Sequence, residues 1–192
     1  MPQITGHGWE LLVTRLGIQA TSGLVRTYGS YQVFIDNNPV PALAGHICER
    51  TGPGDNSSHG VEAHTRITQG RYPLSTQFGT KYVSTGFSDG VEHPLPGFLL
   101  MSTGHRSAIL VHPGHPPNLF LSSIGCFNPT APLTANQIMN FTESRARVIA
   151  LIDSLRMHDP DAFDSETNTP IENAAMVVDG EPMGPVPVGA VA

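Results

Sequence analysis

The fold class turns on residues 9–40, Trp9-Glu10-Leu11-Leu12-Val13-Thr14-Arg15 through Asp36-Asn37-Asn38-Pro39-Val40. Glu10 to Arg15, Ser22 to Tyr28 and Tyr31 to Ile35 are short runs rich in Val, Ile, Leu, Tyr and Thr, the mark of strands. Asp36-Asn37-Asn38-Pro39 closes the third run with a strong turn signal. Pro41 to Arg50 continues the pattern, with His46, Cys48 and Arg50 on one face and Ile47 and Glu49 on the other. Further along, Ile67 to Leu74 suggests a turn into a strand. Gly97 to Met101 and Ser107 to His112 read as two buried strands, the second broken by Pro113-Gly114-His115-Pro116-Pro117. Between them lie a polar loop, 51–64, which carries His59 and His64, and a glycine-rich irregular stretch, 76–97.

Composition agrees. The chain has 192 residues, with 20 Gly, 17 Pro and only 14% charged residues, which favours turns and strands over a helical bundle. One helix is expected, about 134–157. Thr134 with Gln137 forms a capping box, and Ile138, Phe141, Val148, Ile149, Ile152 and Leu155 make an apolar stripe at helical spacing. The expected architecture is therefore mainly β with one C-terminal helix. Residues 1–158 would form the domain, and 159–192 an extended or disordered acidic tail with at most a short strand near Ala175 to Val178.

Charge excludes some partners. The net charge is −6, and Asp159, Asp161, Asp164, Glu166, Glu172, Asp179 and Glu181 place it in the last 36 residues, which hold no Lys or Arg. No basic patch is present to displace counterions from phosphates, so nucleic acid is not expected. No apolar run reaches the length of a membrane span. The first ten residues lack a basic region followed by an apolar one, so no ordinary secretory signal is expected and synthesis would be cytoplasmic. Two cysteines, Cys48 and Cys126, make no disulfide framework and are expected as thiols.

The chemistry concentrates in Ile109-Leu110-Val111-His112-Pro113-Gly114 and Ser122-Ser123-Ile124-Gly125-Cys126-Phe127-Asn128. A strand ends in a histidine, and a cysteine follows a glycine in a turn. An imidazole near a thiol generates the thiolate nucleophile. Gly125 permits a tight turn, in which the N–H groups of Gly125 and Cys126 can face a developing oxyanion. The competing view is that Cys126 is a small buried hydrophobe and His112 a hydrogen-bonded strand end.

His112 followed by Ser123-Ile124-Gly125-Cys126-Phe127-Asn128 resembles the signature of YkuD-type L,D-transpeptidases, over roughly Gly23 to Thr130. An uncharacterised offshoot found in phage and secretion-associated proteins is similar too, and shares an Ile-x-x-Gly-x-Tyr element, here Ile67 to Tyr72. Ile124 stands where the standard enzymes carry a histidine, and the His112 to Cys126 spacing is shorter. The resemblance implies a β-rich sandwich or barrel and a cofactor-free cysteine acyl transfer on peptidoglycan stem peptides, either to an amine or to water. Cys126 would be the nucleophile and His112 the base, the Gly125 and Cys126 amides would form the oxyanion hole, and Ser123 would belong to the same catalytic set. Arg106, Asn128 and His115 would contact substrate. It equally allows a non-catalytic binding or structural module of a phage particle or secretion system. The substrate lies outside the cytoplasm, so delivery would need a dedicated machine or lysis.

Other residues carry plainer expectations. His105, His112 and His115 with Cys126 do not match a familiar zinc spacing, so no metal is expected. His46 and Cys48 should pack or hydrogen-bond. Tyr72 and Phe98 should be core aromatics, and Arg106 is either a carboxylate ligand or a solvated loop residue.

Overall fold

The computed structural model describes residues 2–57, 65–78, 97–165 and 167–187. His59, His64, Lys81 and most of the 76–97 stretch lie outside them. Among these residues are seven strands and one α-helix: β1 Trp9–Thr21, β2 Leu24–Ile35, β3 Asn38–Glu49, β4 Gly70–Gln77, β5 Gly97–Leu100, β6 Asn128–Thr130, α1 Phe141–His158 and β7 Pro170–Asp179. A single sheet in the order β5-β4-β7-β1-β2-β3-β6 curls into a half-barrel. The protein is thus mainly β with one C-terminal helix among the described residues.

Local chemistry explains the two long hairpins. Thr21 pairs with Leu24 across Ser22 and Gly23, and Ile35 pairs with Asn38 across Asp36 and Asn37. All four turn residues have positive φ, 44° and 81° in the first turn and 47° and 65° in the second. Two consecutive left-handed residues match the right-handed twist of the flanking strands, and Gly, Asn and Asp tolerate them best. The second and third sequence runs merge into the continuous β2, because Gly29 and Ser30 keep the ladder going opposite Arg15 and Thr14.

The core follows the period of two along β1. Trp9, Leu11 and Val13 point inward with Tyr31 and Val33 of β2, and Val148, Leu151, Ile152 and Leu155 of α1 cover them. Each such side chain contributes about 1.5–3 kcal/mol by leaving water. Tyr72 and Phe98 are core aromatics, as expected.

Two expectations are corrected. The helix begins at Phe141, not near 134: Asn140 is its N-cap, accepting the Glu143 N–H. The Thr134–Gln137 pairing is real, since Gln137 Oε1 accepts the Thr134 N–H at 2.8 Å, but it closes a separate turn. Ile138 therefore lies outside the helix and is exposed.

Residues 159–187 are not a loose tail. β7 runs parallel to β1 and antiparallel to β4, in the middle of the sheet, and Ala174 to Val178 are buried. Of the acids that suggested disorder, Asp159 ends α1, Glu172 and Asp179 belong to β7, and Glu181 joins a clasp. Arg15 grips Glu49 with two contacts, 2.6 and 2.9 Å, and reaches Glu181 at 3.0 Å. Arg66 holds Glu181 at 2.9 Å, and the Gln69 N–H donates to Glu181 at 2.8 Å. The segment then crosses β1 at Gly17, where a Cβ would lie 2.5 Å from the Val186 nitrogen.

Candidate active site

Residues 109–112 form a seam between the two edges of the curled sheet. Leu110 bridges Leu99 of β5, and Val111 bridges Phe127, just before β6. The Ser107–His112 strand expected from sequence is reduced to these bridges. His112 N–H donates to Phe127 O at 3.0 Å, and Phe127 N–H to Leu110 O at 2.9 Å. Val111 and Phe127 turn into the core. By the two-residue period, Leu110, His112, Cys126 and Asn128 share the opposite face. The bridge thus carries the His and the Cys, distant in sequence, onto neighbouring segments.

The helix fixes this seam. The buried Ser144 of α1 donates its hydroxyl to Pro129 O and accepts the Gly114 N–H at 2.8 Å. The loop after His112 and the strand after Cys126 are tied to one side chain. Sequence reasoning missed Ser144, a polar residue on a helical face, because its partners come from elsewhere in the chain.

His112 is a neutral base held at one nitrogen. Its Nδ1 lies 2.8 Å from Pro113 O, which makes Nδ1 the donor and leaves the Nε2 lone pair as acceptor. Burial pushes its pKa below the usual imidazole range, outweighing the opposing pull of the Pro113 carbonyl. Asn128 is fully buried, and its amide donates to His112 O at 3.0 Å, so it braces the histidine backbone. Its Oδ1 has no partner among the described residues.

The Cys126 sulfur accepts the Leu110 N–H at 3.4 Å, and its thiol lies 3.6 Å from Ala108 O. Burial pushes the thiol pKa up, and the Leu110 N–H, the Ser123 hydroxyl and the charge of Arg106 offset part of that rise. Among the described hydrogen bonds, none joins Cys126 to His112. At neutral pH the pair therefore rests as thiol and neutral imidazole.

The turn before Cys126 is built tightly. Gly125 N–H donates to Ser123 Oγ at 2.8 Å, so this amide is engaged within its own turn rather than free for an oxyanion. A Cβ on Gly125 would stand 2.4 Å from Arg106 Nη2, so glycine makes room for that guanidinium. Arg106 is buried, not a solvated loop residue. Three of its donors go to the carbonyls of Asp55 at 3.1 Å, Thr65 at 3.0 Å and Ile124 at 3.4 Å.

The remaining candidates separate. His115 is half-buried, its ring 5.9 Å from that of His112, and its N–H donates to Ser122 Oγ. Ile124 is exposed beside Cys126. Among the described residues no group of three His, Cys, Asp or Glu is placed to hold a metal ion. Cys48 and Cys126 are both free thiols. Cys48 is fully buried, with its pKa pushed up to about 12, and Tyr28 pairs with it while stacking on His46 at 5.2 Å.

Compared with protein-family models, curated proteins and solved structures, the chain matches none.

Proposed function

We propose that this protein is a cysteine acyl-transfer enzyme of the L,D-transpeptidase kind, acting on peptidoglycan stem peptides. The observation that carries this reading is the Val111–Phe127 bridge. It sets Cys126 and a singly anchored His112 on neighbouring segments and one face, with the Nε2 of His112 left as a proton acceptor. In the reaction, Nε2 takes the thiol proton as Sγ attacks the carbonyl of an L,D peptide bond. A tetrahedral oxyanion forms and collapses to a thioester, and the leaving amine receives the proton from the imidazolium. Water or a second stem's amine then takes the acyl group and restores the thiol.

The oxyanion needs donors other than the Gly125 N–H in its present state. The Cys126 N–H is one, and a turn of Ser123 Oγ away from Gly125 would release a second. Delivery to the cell wall by a secretion device or lysis accompanies this proposal.

A second reading is a non-catalytic module of a phage particle or secretion system. The Gly125 N–H bonded to Ser123, together with a thiol raised by burial, favours it. Among the described residues no helix is long and apolar enough to cross a membrane.

Tetrapeptide-stem muropeptides test the two. Under the enzyme reading, wild-type protein trims or dimerises them, seen by mass spectrometry, and both Cys126→Ala and His112→Ala abolish this. Unaltered muropeptides with folded wild-type protein would support the module.

A further inference from the structure

Arg106 is a buried cation set against the turn that leads into Cys126. It comes from the segment before the seam, and its Nη2 sits against Gly125 and donates to Ile124 O, the two residues that precede Cys126. Among the described hydrogen bonds the guanidinium donates to the carbonyls of Asp55, Thr65 and Ile124. The charges of Asp55 and of the Cys126 sulfur both act on it. Burying a guanidinium is costly, and each anion that comes near offsets part of that cost. His112 does not supply a competing positive charge, because burial keeps it neutral.

We propose that Arg106 is the positioning residue for the Cys126 anion. It is the fixed counter-charge that a thiolate meets as it forms, held behind Gly125 by three loop carbonyls. The missing Cβ at Gly125 is what lets the charge come this close. Substrate recognition then falls to other groups, and Arg106 acts on the sulfur through space rather than on the peptide. This inference rests on the acyl-transfer reading. Its test reads only the thiol, so loss of muropeptide turnover and loss of this effect are separable.

The experiment is the pH dependence of iodoacetamide alkylation, followed by intact mass, for wild type, Arg106→Met and Arg106→Lys. Cys48, fully buried, is the silent reference within each molecule. Opposite charges at close range move a pKa by about 1–3 units. The alkylation midpoint of Arg106→Met should accordingly rise by about one pH unit or more, with Arg106→Lys recovering at least half of the shift. Equal midpoints for wild type and a cooperatively melting Arg106→Met would overturn the proposal. Should Arg106→Met fail to fold, Gly125→Ala decides. Its methyl pushes the guanidinium aside while keeping the charge in the chain, so its midpoint should also rise, and an unchanged midpoint would overturn the proposal.

Discussion

Two polar clusters in this molecule are built on opposite plans. In the clasp, Arg15 and Arg66 meet Glu49 and Glu181, and every charge has an opposite charge within 3.0 Å. At the seam, Arg106, His112 and Cys126 each hydrogen-bond to backbone groups and not to one another. The clasp is complete, so what it does is hold β7 and the crossing segment 180–186 in place. The seam instead fixes a cation, a base and a thiol on neighbouring segments, with Asp55 acting on the cation through its charge. Charges that match are a device of the fold. Under the proposed acyl transfer, a cation held by carbonyls beside a thiol is a device for chemistry.

The sharpest way to break this contrast is His112→Gln. A general base contributes about 10²–10⁴-fold to rate, so muropeptide turnover should fall by that order. The thermal melt should move little, because the Asn128–His112 brace uses the backbone. A large loss of stability with unchanged turnover would invert the roles given to the two clusters.

Glu49→Gln should show the reverse pattern. Removing one partner of a buried pair costs about 3–5 kcal/mol, a shift of roughly 10 °C in Tm for a chain of this size. The alkylation rate of Cys126 at a temperature where the variant is folded should stay unchanged.

Acid sharpens the comparison further. Burial alone would raise the Glu181 carboxyl, but the hydrogen bonds from Arg66 and Gln69 and the charge of Arg15 outweigh it and hold it below the usual range. A depressed carboxyl stabilises the fold above its unfolded pKa and loses that contribution as pH falls through the folded value. Stability of wild type should therefore decline below about pH 4.5, and the decline should be shallower in Glu181→Gln. His112, also depressed, acts in a higher window. The unfolded chain binds its proton first, so a loss begins as pH falls below about 6.5 and should vanish in His112→Gln. Chemical denaturation at a series of pH values checks both.

Ser123→Ala carries the smallest expected effect. It frees the Gly125 N–H but removes a donor to the sulfur. The alkylation midpoint should rise by a few tenths of a unit, while acylation of wild type and variant should differ by less than about tenfold.

The same contrast explains what was legible in one dimension. Asp36-Asn37 and Ser22-Gly23 announce their turns because the required backbone is local, and the mainly β class follows from them. The helix start was misplaced because Thr134–Gln137 and Asn140–Glu143 carry the same local signature, and only packing against the core selects the second. β7 was legible only as a short strand near Ala175 to Val178, for a different reason. A central strand buried on both faces shows no alternation, and Ala174 to Val178 become a strand only when β1 and β4 arrive from far away in sequence. The His112–Cys126 motif was visible, but its supports were not. Arg106 reads as a loop cation until Gly125, Asp55 and Thr65 are seen around it, and Ser144 reads as helix surface until Gly114 and Pro129 close on it.

The proposal that Cys126 is an acyl-accepting nucleophile in a peptidoglycan-like site is tested most directly by intact mass after incubation with a carbapenem, a β-lactam that acylates the thiol of L,D-transpeptidases, on wild type, Cys48→Ala and Cys126→Ala. One stoichiometric adduct is expected on wild type and Cys48→Ala, and none on Cys126→Ala. No adduct on folded wild type, with Cys126 also slow toward iodoacetamide, would contradict it and leave the seam a structural joint.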